Sequence, residues 1–178
     1  MAFPSGTHEL GPDEARLTVR TGKSGAASAA GHNLLLAVTA WNATLLIAED
    51  VPSSSLELSA DAGSLRVIEG TGGVRAPSDE DKANIQQSID DHVLKRESIA
   101  FSSSSVREAG PGRLQIDGQL TIVGTAKPFA FELTINGDGK LAATATVTQS
   151  DWGMKQYSSL FGALKVNDEV VVELEGQL

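Results

Sequence analysis

The feature that most constrains this chain is a strict two-residue alternation of apolar and polar side chains between residues 114 and 135. Two consecutive segments carry its apolar members, which are Leu114, Ile116, Leu120, Ile122, Phe129, Phe131, Leu133 and Ile135. Successive side chains of a β-strand point to opposite faces of a sheet, so this period predicts two strands, each buried on one face. Gly118 falls in the apolar phase of the first strand, and a glycine there predicts a bend or a close approach to the backbone.

Residues 136–139, Asn-Gly-Asp-Gly, supply the positive φ angles of a tight hairpin turn before the alternation resumes. Other apolar residues with the same period are Leu35, Ala37, Trp41, Leu45, Ile47, Leu56, Leu58, Leu65, Val67, Leu141, Ala143, Ala145, Val147, Val170, Val172 and Leu174. The run from Leu35 to Ile47 is interpreted as one bent strand or as two strands that meet near Asn42. The chain is therefore predicted to be all-β, with about eight or nine strands in a sandwich or a barrel.

One segment departs from the two-residue period. Ser78 precedes three acidic residues, which is the pattern of a capping box and of negative charge at a helix N-terminus. Ile85, Ile89 and Val93 then recur every four residues, so we expect a helix over residues 78–94 that packs across a barrel opening. A second group, Met154, Tyr157 and Phe161, has helical spacing between two glycines and is compatible with a helix or a structured loop.

Length and charge exclude several classes of protein. A chain of 178 residues with 40% hydrophobic residues is expected to form one domain, residues 1–178, with residues 1–9 as a disordered extension. The net charge of −9 argues against a nucleic-acid partner, and the lack of cysteine excludes thiolate chemistry and disulfides. No apolar run is long enough for an integral membrane segment. The N-terminus lacks the pattern of a secretory signal, so a cytoplasmic location is predicted.

Three blocks of sequence resemble one known family. DGQLTIVGTAKPFAFELTING (residues 117–137), DDHVLKRESIAFSSSSV (90–106) and QSDWGMKQYSSLFGALKVNDEVVVELE (149–175) are similar to the corresponding parts of the YceI-like proteins, a lipocalin-like family. The resemblance extends from Leu10 to the end of the chain. It implies an eight-stranded antiparallel barrel with the helix over one mouth, around an elongated apolar cavity that accommodates polyisoprenoid chains such as isoprenoid quinones.

Motifs of catalysis and of metal binding are weak. Residues 22–25, GKSG, do not form the G-x-S-x-G nucleophile elbow, and the histidines at positions 8, 32 and 92 have no paired ligand spacing. No catalytic residue, metal site or required cofactor is predicted, and the chain is predicted not to be an enzyme. His32 lies where a loop of small residues enters an apolar strand, and it is expected to bind a ligand head group or a neighbouring backbone group.

The ligand contacts are predicted from aromatic and flexible side chains, which bring large apolar area to a cavity. They are His32, Trp41, Phe129, Phe131, Trp152, Met154, Tyr157 and Phe161.

The leading hypothesis is a carrier or store for an isoprenoid quinone, a polyisoprenoid or a similar long-chain amphiphile. One alternative is a barrel enzyme, an isomerase or hydrolase, that uses His32 with a carboxylate such as Asp151 on a small apolar substrate. The other is a stress-linked interaction protein whose barrel is filled by its own side chains. Pairing of two copies through an exposed sheet edge, which would give a homodimer, stays open.

Overall fold

The computed structural model describes residues 3–178 as antiparallel strands with one α-helix and several short helical turns. The strands are β1 (Gly6–Leu10), β2 (Ala15–Ser24), β3 (Asn33–Val38), β4 (Trp41–Ile47), β5 (Ser55–Ala60), β6 (Leu65–Thr71), β7 (Ile99–Gly110), β8 (Arg113–Ile122), β9 (Thr125–Ile135), β10 (Lys140–Thr148), β11 (Ser158–Ser159) and β12 (Leu164–Gln177). The helix α1 spans Asp79–Ser88 and continues into a single π-helical turn, Ile89–Val93.

All strands belong to one curled antiparallel sheet around a central cavity, so the predicted all-β antiparallel class with one helix is confirmed. The strand order is β1-β4-β5-β7-β8-β9-β10-β12-β2-β3-β6, and β11 pairs with β12 beside this path. The predicted number of eight strands is wrong, because the structure has twelve. The additional strands are β1, the two-residue β11, and the two that arise where bends divide longer strands.

The two bends lie side by side in one long hairpin. Residues 39–40 separate β3 from β4, and residues 61–64 separate β5 from β6. The Thr39 amide donates to the Ser64 carbonyl at 3.1 Å, and the Asp61 amide donates to the Ala40 carbonyl at 2.9 Å. These bonds connect the β3–β6 ladder to the β4–β5 ladder. The hairpin therefore bends as a unit, and it joins β2 on one side to β7 on the other.

The alternation predicted for β8 and β10 is confirmed, but that of β3 has the wrong phase. Leu114, Ile116, Leu120 and Ile122 are all buried. In β3 the cavity is lined by Leu34, Leu36 and Val38, whereas Leu35 and Ala37 were predicted to share the face of Trp41. The bend at residues 39–40 shifts the phase by one residue, and it lies before the meeting point predicted at Asn42.

The N-terminal segment is ordered as an edge strand. Residues 1–9 were predicted to be a disordered extension, but Gly6–Leu10 form β1 and pair with β4 in the register Gly6↔Ile47 to Leu10↔Ala43. Leu10 is buried in the core at the end of this ladder. The prediction is therefore wrong for residues 6–9, since backbone pairing with β4 outweighs the polar composition. Residues 1 and 2 lie outside the described part of the chain.

Helix α1 lies along β6, whose strand partner in the described part of the chain is β3 alone. The Gln86 side-chain carbonyl accepts a hydrogen bond from the Val67 amide at 3.0 Å, so the helix satisfies a backbone group of this strand. Ile85, Ile89 and Val93 all line the cavity, as their spacing predicted. The helix therefore covers the opening beside β6. No helix among residues 3–178 has the length and apolar character needed to cross a membrane.

The N-terminus of α1 has the predicted capping box. The Asp81 amide donates to Ser78 Oγ at 3.2 Å, and the Ser78 amide donates to Asp81 Oδ2 at 2.8 Å. Arg75 Nη1 also lies 2.8 Å from Asp81 Oδ2. The hydrogen bonds from Ser78, followed by the contact with Arg75, lower the pKa of Asp81 from 3.8 to about 2.

This lowered pKa predicts an acid-sensitive helix terminus. A carboxyl group whose pKa is lower in the folded state stabilises the protein fully above pH 3.8, and the effect is lost as the pH falls towards 2. We expect Asp81→Asn to lower the melting temperature at pH 5, and the difference from wild type to shrink as the pH falls below 4. Thermal unfolding followed by circular dichroism across this range measures it. A difference that does not change with pH would contradict the assignment.

The segment from residue 149 to residue 163 is a structured loop, which was one of the two forms expected. It contains 3-10 turns at Gln149–Trp152 and Leu160–Gly162, with the short strand β11 between them. The Val166 amide donates to the Tyr157 carbonyl at 3.0 Å, and the Ala27 amide donates to the Ala163 carbonyl at 2.8 Å. The loop is thereby held against the ends of β12 and β2, at one end of the cavity.

Candidate ligand-binding cavity

The curled sheet and α1 enclose a cavity of about 500 Å³. Its walls include alternate residues of β2, β3 and β10 and residues of β4, β5, β7, β8, β9 and β12, together with the apolar stripe of α1. The residues that reach it from β10 and β12 are Leu141, Ala143, Ala145, Val147, Leu164, Lys165, Val166, Val170, Val172 and Leu174. The volume falls within the range of about 300–1,000 Å³ that small-molecule sites occupy.

Strand β2 shows how polarity changes along the cavity. Its alternate residues Leu17, Val19, Thr21 and Lys23 all line the wall. At about 3.3 Å per residue, Leu17 and Lys23 lie roughly 20 Å apart along the strand. The paired strand β12 runs along the same length of the cavity, because Leu174 pairs with Leu17, and Val166, the residue after Lys165, pairs with Lys23. The cavity is therefore long, with an apolar end at Leu17 and a polar end at Lys23.

Aromatic rings cover one wall of the cavity. Phe101, Phe129 and Phe131 line it, and Phe131 lies edge-on to Phe101 with ring centroids 5.3 Å apart. The predicted close approach at Gly118 is confirmed, because a Cβ atom there would meet the Ser102 carbonyl oxygen and would lie 2.6 Å from Phe101 Cζ. The ring of Phe101 therefore packs over the bare backbone of β8. This packing places its edge against Phe131.

Trp152 supports this wall from outside the cavity. Its indole Nε1 donates to the Leu120 carbonyl at 2.9 Å, and its ring packs edge-on against Phe129 with centroids 5.9 Å apart. The side chain is buried but does not line the cavity. Trp152 thus anchors the loop after β10 to β8, and it acts on the cavity through Phe129.

The polar end is formed by six residues from four parts of the chain, and we use the term polar end for this set. They are Lys23, His32, Gln149, Tyr157, Ser159 and Lys165. Lys23 Nζ donates to the Gly31 carbonyl at 2.8 Å and to the Gly72 carbonyl at 2.5 Å. Gln149 is buried, and its side-chain amide donates to the Asn167 carbonyl at 2.9 Å.

His32 is bound to the backbone, which was one of its two predicted roles. Its Nε2 lies 2.6 Å from the Arg75 carbonyl oxygen. A carbonyl oxygen only accepts hydrogen bonds, so Nε2 carries the hydrogen and Nδ1 remains as the free ring nitrogen. The ring packs so closely over Gly73 that a Cβ atom there would collide with Nε2. His32 therefore lines the polar end while it holds the loop after β6.

The structure brings together five of the eight predicted contact residues. His32, Phe129, Phe131, Met154 and Tyr157 line the cavity. The other three do not: Trp41 is buried in the core, Trp152 lies behind Phe129, and Phe161 is fully exposed. Phe161 lies in the 3-10 turn after β11 with a positive φ of 56°. Ligand contact by any of these residues stays a prediction.

The prediction missed the lysines and Phe101. Lys23 continues the alternation of Leu17, Val19 and Thr21, so the period of β2 alone would have placed it in the cavity. Phe101 precedes a run of four serines, and this run obscured the apolar phase of β7. Lys165 precedes Val166 in β12, and the local sequence pattern gives no indication that Lys165 lines the cavity.

The residues proposed for the alternative enzyme do not converge. Asp151 is exposed and does not line the cavity that His32 lines. Among residues 3–178, no group of three or more His, Cys, Asp or Glu side chains is arranged to hold a metal ion. The lining is mostly apolar, with lysine, hydroxyl, amide and imidazole groups at the polar end and with Asn84 and Ser88 of α1 as further polar residues.

Comparison with known families identifies the relationship that this architecture suggests. The YceI-like domain matches residues 13–178. The chain belongs to the YceI-like family. Two UPF0312 proteins show its similarity to curated members: one from Pseudomonas putida is 35% identical and one from Pseudomonas fluorescens is 33% identical, each over 72 residues. These matches cover 35% of this chain and 38% of each relative.

Solved structures of YceI-like and related proteins share the fold. BcnA from Burkholderia cenocepacia superposes with a TM-score of 0.66 at 13% identity, over 90% of this chain and 94% of BcnA. The YceI protein of Campylobacter jejuni gives a TM-score of 0.55 at 14% identity, over 80% of this chain and 82% of that protein. At these identities the similarity establishes the curled sheet and not the ligand.

Proposed function

We propose that this YceI-like protein binds a long-chain amphiphile, such as an isoprenoid quinone or another polyisoprenoid, and carries or stores it. The observation that supports this proposal is the long, mostly apolar cavity with a polar end at Lys23. An aliphatic chain placed between Leu17 and Lys23 would contact apolar side chains along its length. Each methylene group removed from water contributes about 0.8 kcal/mol, so a chain of this length binds without specific contacts.

The same cavity argues for binding and not for catalysis. Apolar walls select ligands by their length and width, whereas a reaction needs acid, base or nucleophile groups placed at the reacting atoms. His32 Nε2 is already bonded to the backbone, and the carboxylate suggested as its partner lies outside the cavity. We therefore propose that the protein is not an enzyme and that it needs no cofactor.

Extraction of the purified protein tests the proposal directly. We expect organic extraction followed by mass spectrometry to recover a long-chain lipid in near-stoichiometric amount. The delipidated protein should then bind an isoprenoid quinone with saturation at one molecule per chain. Failure to recover lipid, together with failure of the delipidated protein to bind quinones, polyprenols and fatty acids, would overturn the proposal.

A further inference from the structure

The charge of the cavity lining is opposite to that of the whole protein. The chain has 23 Asp and Glu residues against 14 Lys and Arg residues. Within the described part of the chain, the cavity is lined by Lys23, Lys165 and His32 and by no Asp or Glu side chain. Acidic residues are thus abundant on this protein, yet none of those in the described part of the chain lines this cavity.

Lys23 keeps a free hydrogen-bond donor. It is half-buried, and its Nζ donates to two carbonyl oxygens, which leaves the third hydrogen of the ammonium group available. Carbonyl dipoles solvate the ammonium group but do not neutralise it. The ion pairs found in residues 3–178 all use arginines, so no carboxylate lies within 4.0 Å of Lys23 or Lys165.

The fold brings the second lysine to the same end. Lys23 pairs with Val166 across β2 and β12, and Lys165 is the next residue of β12. Ser159 pairs with Leu164, so its hydroxyl group also belongs to this end of the cavity. A charge interacts more strongly at an apolar site than in water, because the local dielectric constant is lower. This applies to Lys23, which is half-buried, whereas Lys165 is exposed and borders the cavity at the same end. The two lysines with the nearby hydroxyl donors therefore form a site suited to an anion.

We infer that the ligand of this cavity carries an anionic head group, a carboxylate or a phosphate, which binds Lys23 and Lys165 at the polar end. Its apolar tail extends towards Leu17. This inference rests on the proposed function and narrows the class of amphiphile. Charge-assisted hydrogen bonds are roughly twice as strong as neutral ones, so the head group discriminates among ligands whose tails are identical.

A purely structural role of Lys23 makes a different prediction. Lys23 connects the Gly31 and Gly72 loops through its two hydrogen bonds. If this were its whole function, replacement of Lys23 would lower the stability of the protein and would lower its affinity for charged and neutral amphiphiles by the same factor. The comparison of charged and neutral ligands with the same tail therefore separates the two roles.

The experiment uses delipidated full-length protein and displacement of the neutral fluorescent probe N-phenylnaphthylamine. The carboxylate arm compares hexadecanoic acid with hexadecanol and hexadecanamide, and the phosphate arm compares farnesyl phosphate with farnesol. We expect the anion of the preferred arm to bind at least about tenfold tighter than its neutral counterparts, and this preference should fall as salt is added. The arm with the larger preference identifies the head group.

Three variants complete the test. Lys165→Gln alters an exposed side chain and should remove most of the anion preference without changing alcohol binding. Lys23→Gln should do the same, and its melting temperature shows whether loss of the loop contacts contributes. Lys140→Gln is the matched control, because Lys140 begins β10, is exposed and does not line the cavity. This control variant should leave unchanged the preference for hexadecanoic acid over hexadecanol and the preference for farnesyl phosphate over farnesol.

Two outcomes would overturn the inference while the proposed function stands. One is equal affinity of wild type for acid and alcohol in both arms. The other is an anion preference that survives in both lysine variants. Failure of every amphiphile to bind would instead overturn the proposed function, so the two failures are distinguishable.

Discussion

Ala145→Phe is expected to abolish most long-chain ligand binding while the protein remains folded. Ala145 lies in the middle of β10, opposite Val172 of β12, and its small side chain borders the cavity. A phenyl ring at this position projects into space that a ligand tail would occupy. Loss of about three buried methylene contacts costs roughly 2.4 kcal/mol, which weakens binding by about fiftyfold. Displacement of N-phenylnaphthylamine measures the affinity.

Thr146→Phe provides the control for this prediction. Thr146 is the next residue of the same strand, is exposed and faces away from the cavity. The same ring on the outer face should leave ligand affinity within about twofold of wild type. Both variants should melt close to wild type, since neither ring displaces a packed side chain. Equal loss of binding in the two variants would show that ligands do not occupy the cavity beside β10.

The largest effect on stability is expected from Gly118→Ala. The added Cβ atom would collide with the Ser102 carbonyl oxygen and with the Phe101 ring, whose Cζ atom would lie 2.6 Å away. The backbone oxygen cannot move without disturbing the β7–β8 ladder, so the strain remains even if the ring shifts. Strain of this kind costs about 1–3 kcal/mol, which lowers the melting temperature by roughly 3–10 °C in a chain of this size.

Gln119→Ala is the matched variant for this effect. Gln119 follows Gly118 in β8, and its side chain is exposed. Its replacement should change the free energy of unfolding by less than about 0.5 kcal/mol. Thermal unfolding of the two variants and wild type measures the difference. A Gly118→Ala protein as stable as Gln119→Ala would contradict the close packing of Phe101 on β8.

The elements predicted best from the sequence are those whose structure depends on neighbouring residues. The burial of Leu114 and Leu141 follows from an unbroken alternation on each side of the turn at residues 136–139. The capping box at Ser78 depends on residues three positions apart, and its hydrogen bonds form as expected. In each case the pattern and the contact that produces it lie within a few residues of each other.

The errors arise where pairing between distant strands decides the result. The phase of β3 depends on the bend at residues 39–40, which is held by hydrogen bonds to Asp61 and Ser64 more than twenty residues away. Residues 6–10 are a strand because β4 is available to pair with them. Neither feature has a local signal, since the same residues in an isolated peptide would lack the partner backbone groups.

The candidate site likewise has features that depend on neighbouring residues and features that depend on distant parts of the chain. Aromatic composition selected Phe129 and Phe131, but it also selected Trp152 and Phe161, and only the packing separates the rings that line the cavity from those that do not. Local alternation and capping residues were sufficient for an all-β chain with one helix, because these preferences act over a few residues. The convergence of Lys23 and Lys165 depends on the β2–β12 register, which joins residues more than a hundred positions apart. That distance is why the charge of the cavity became visible only in the tertiary structure.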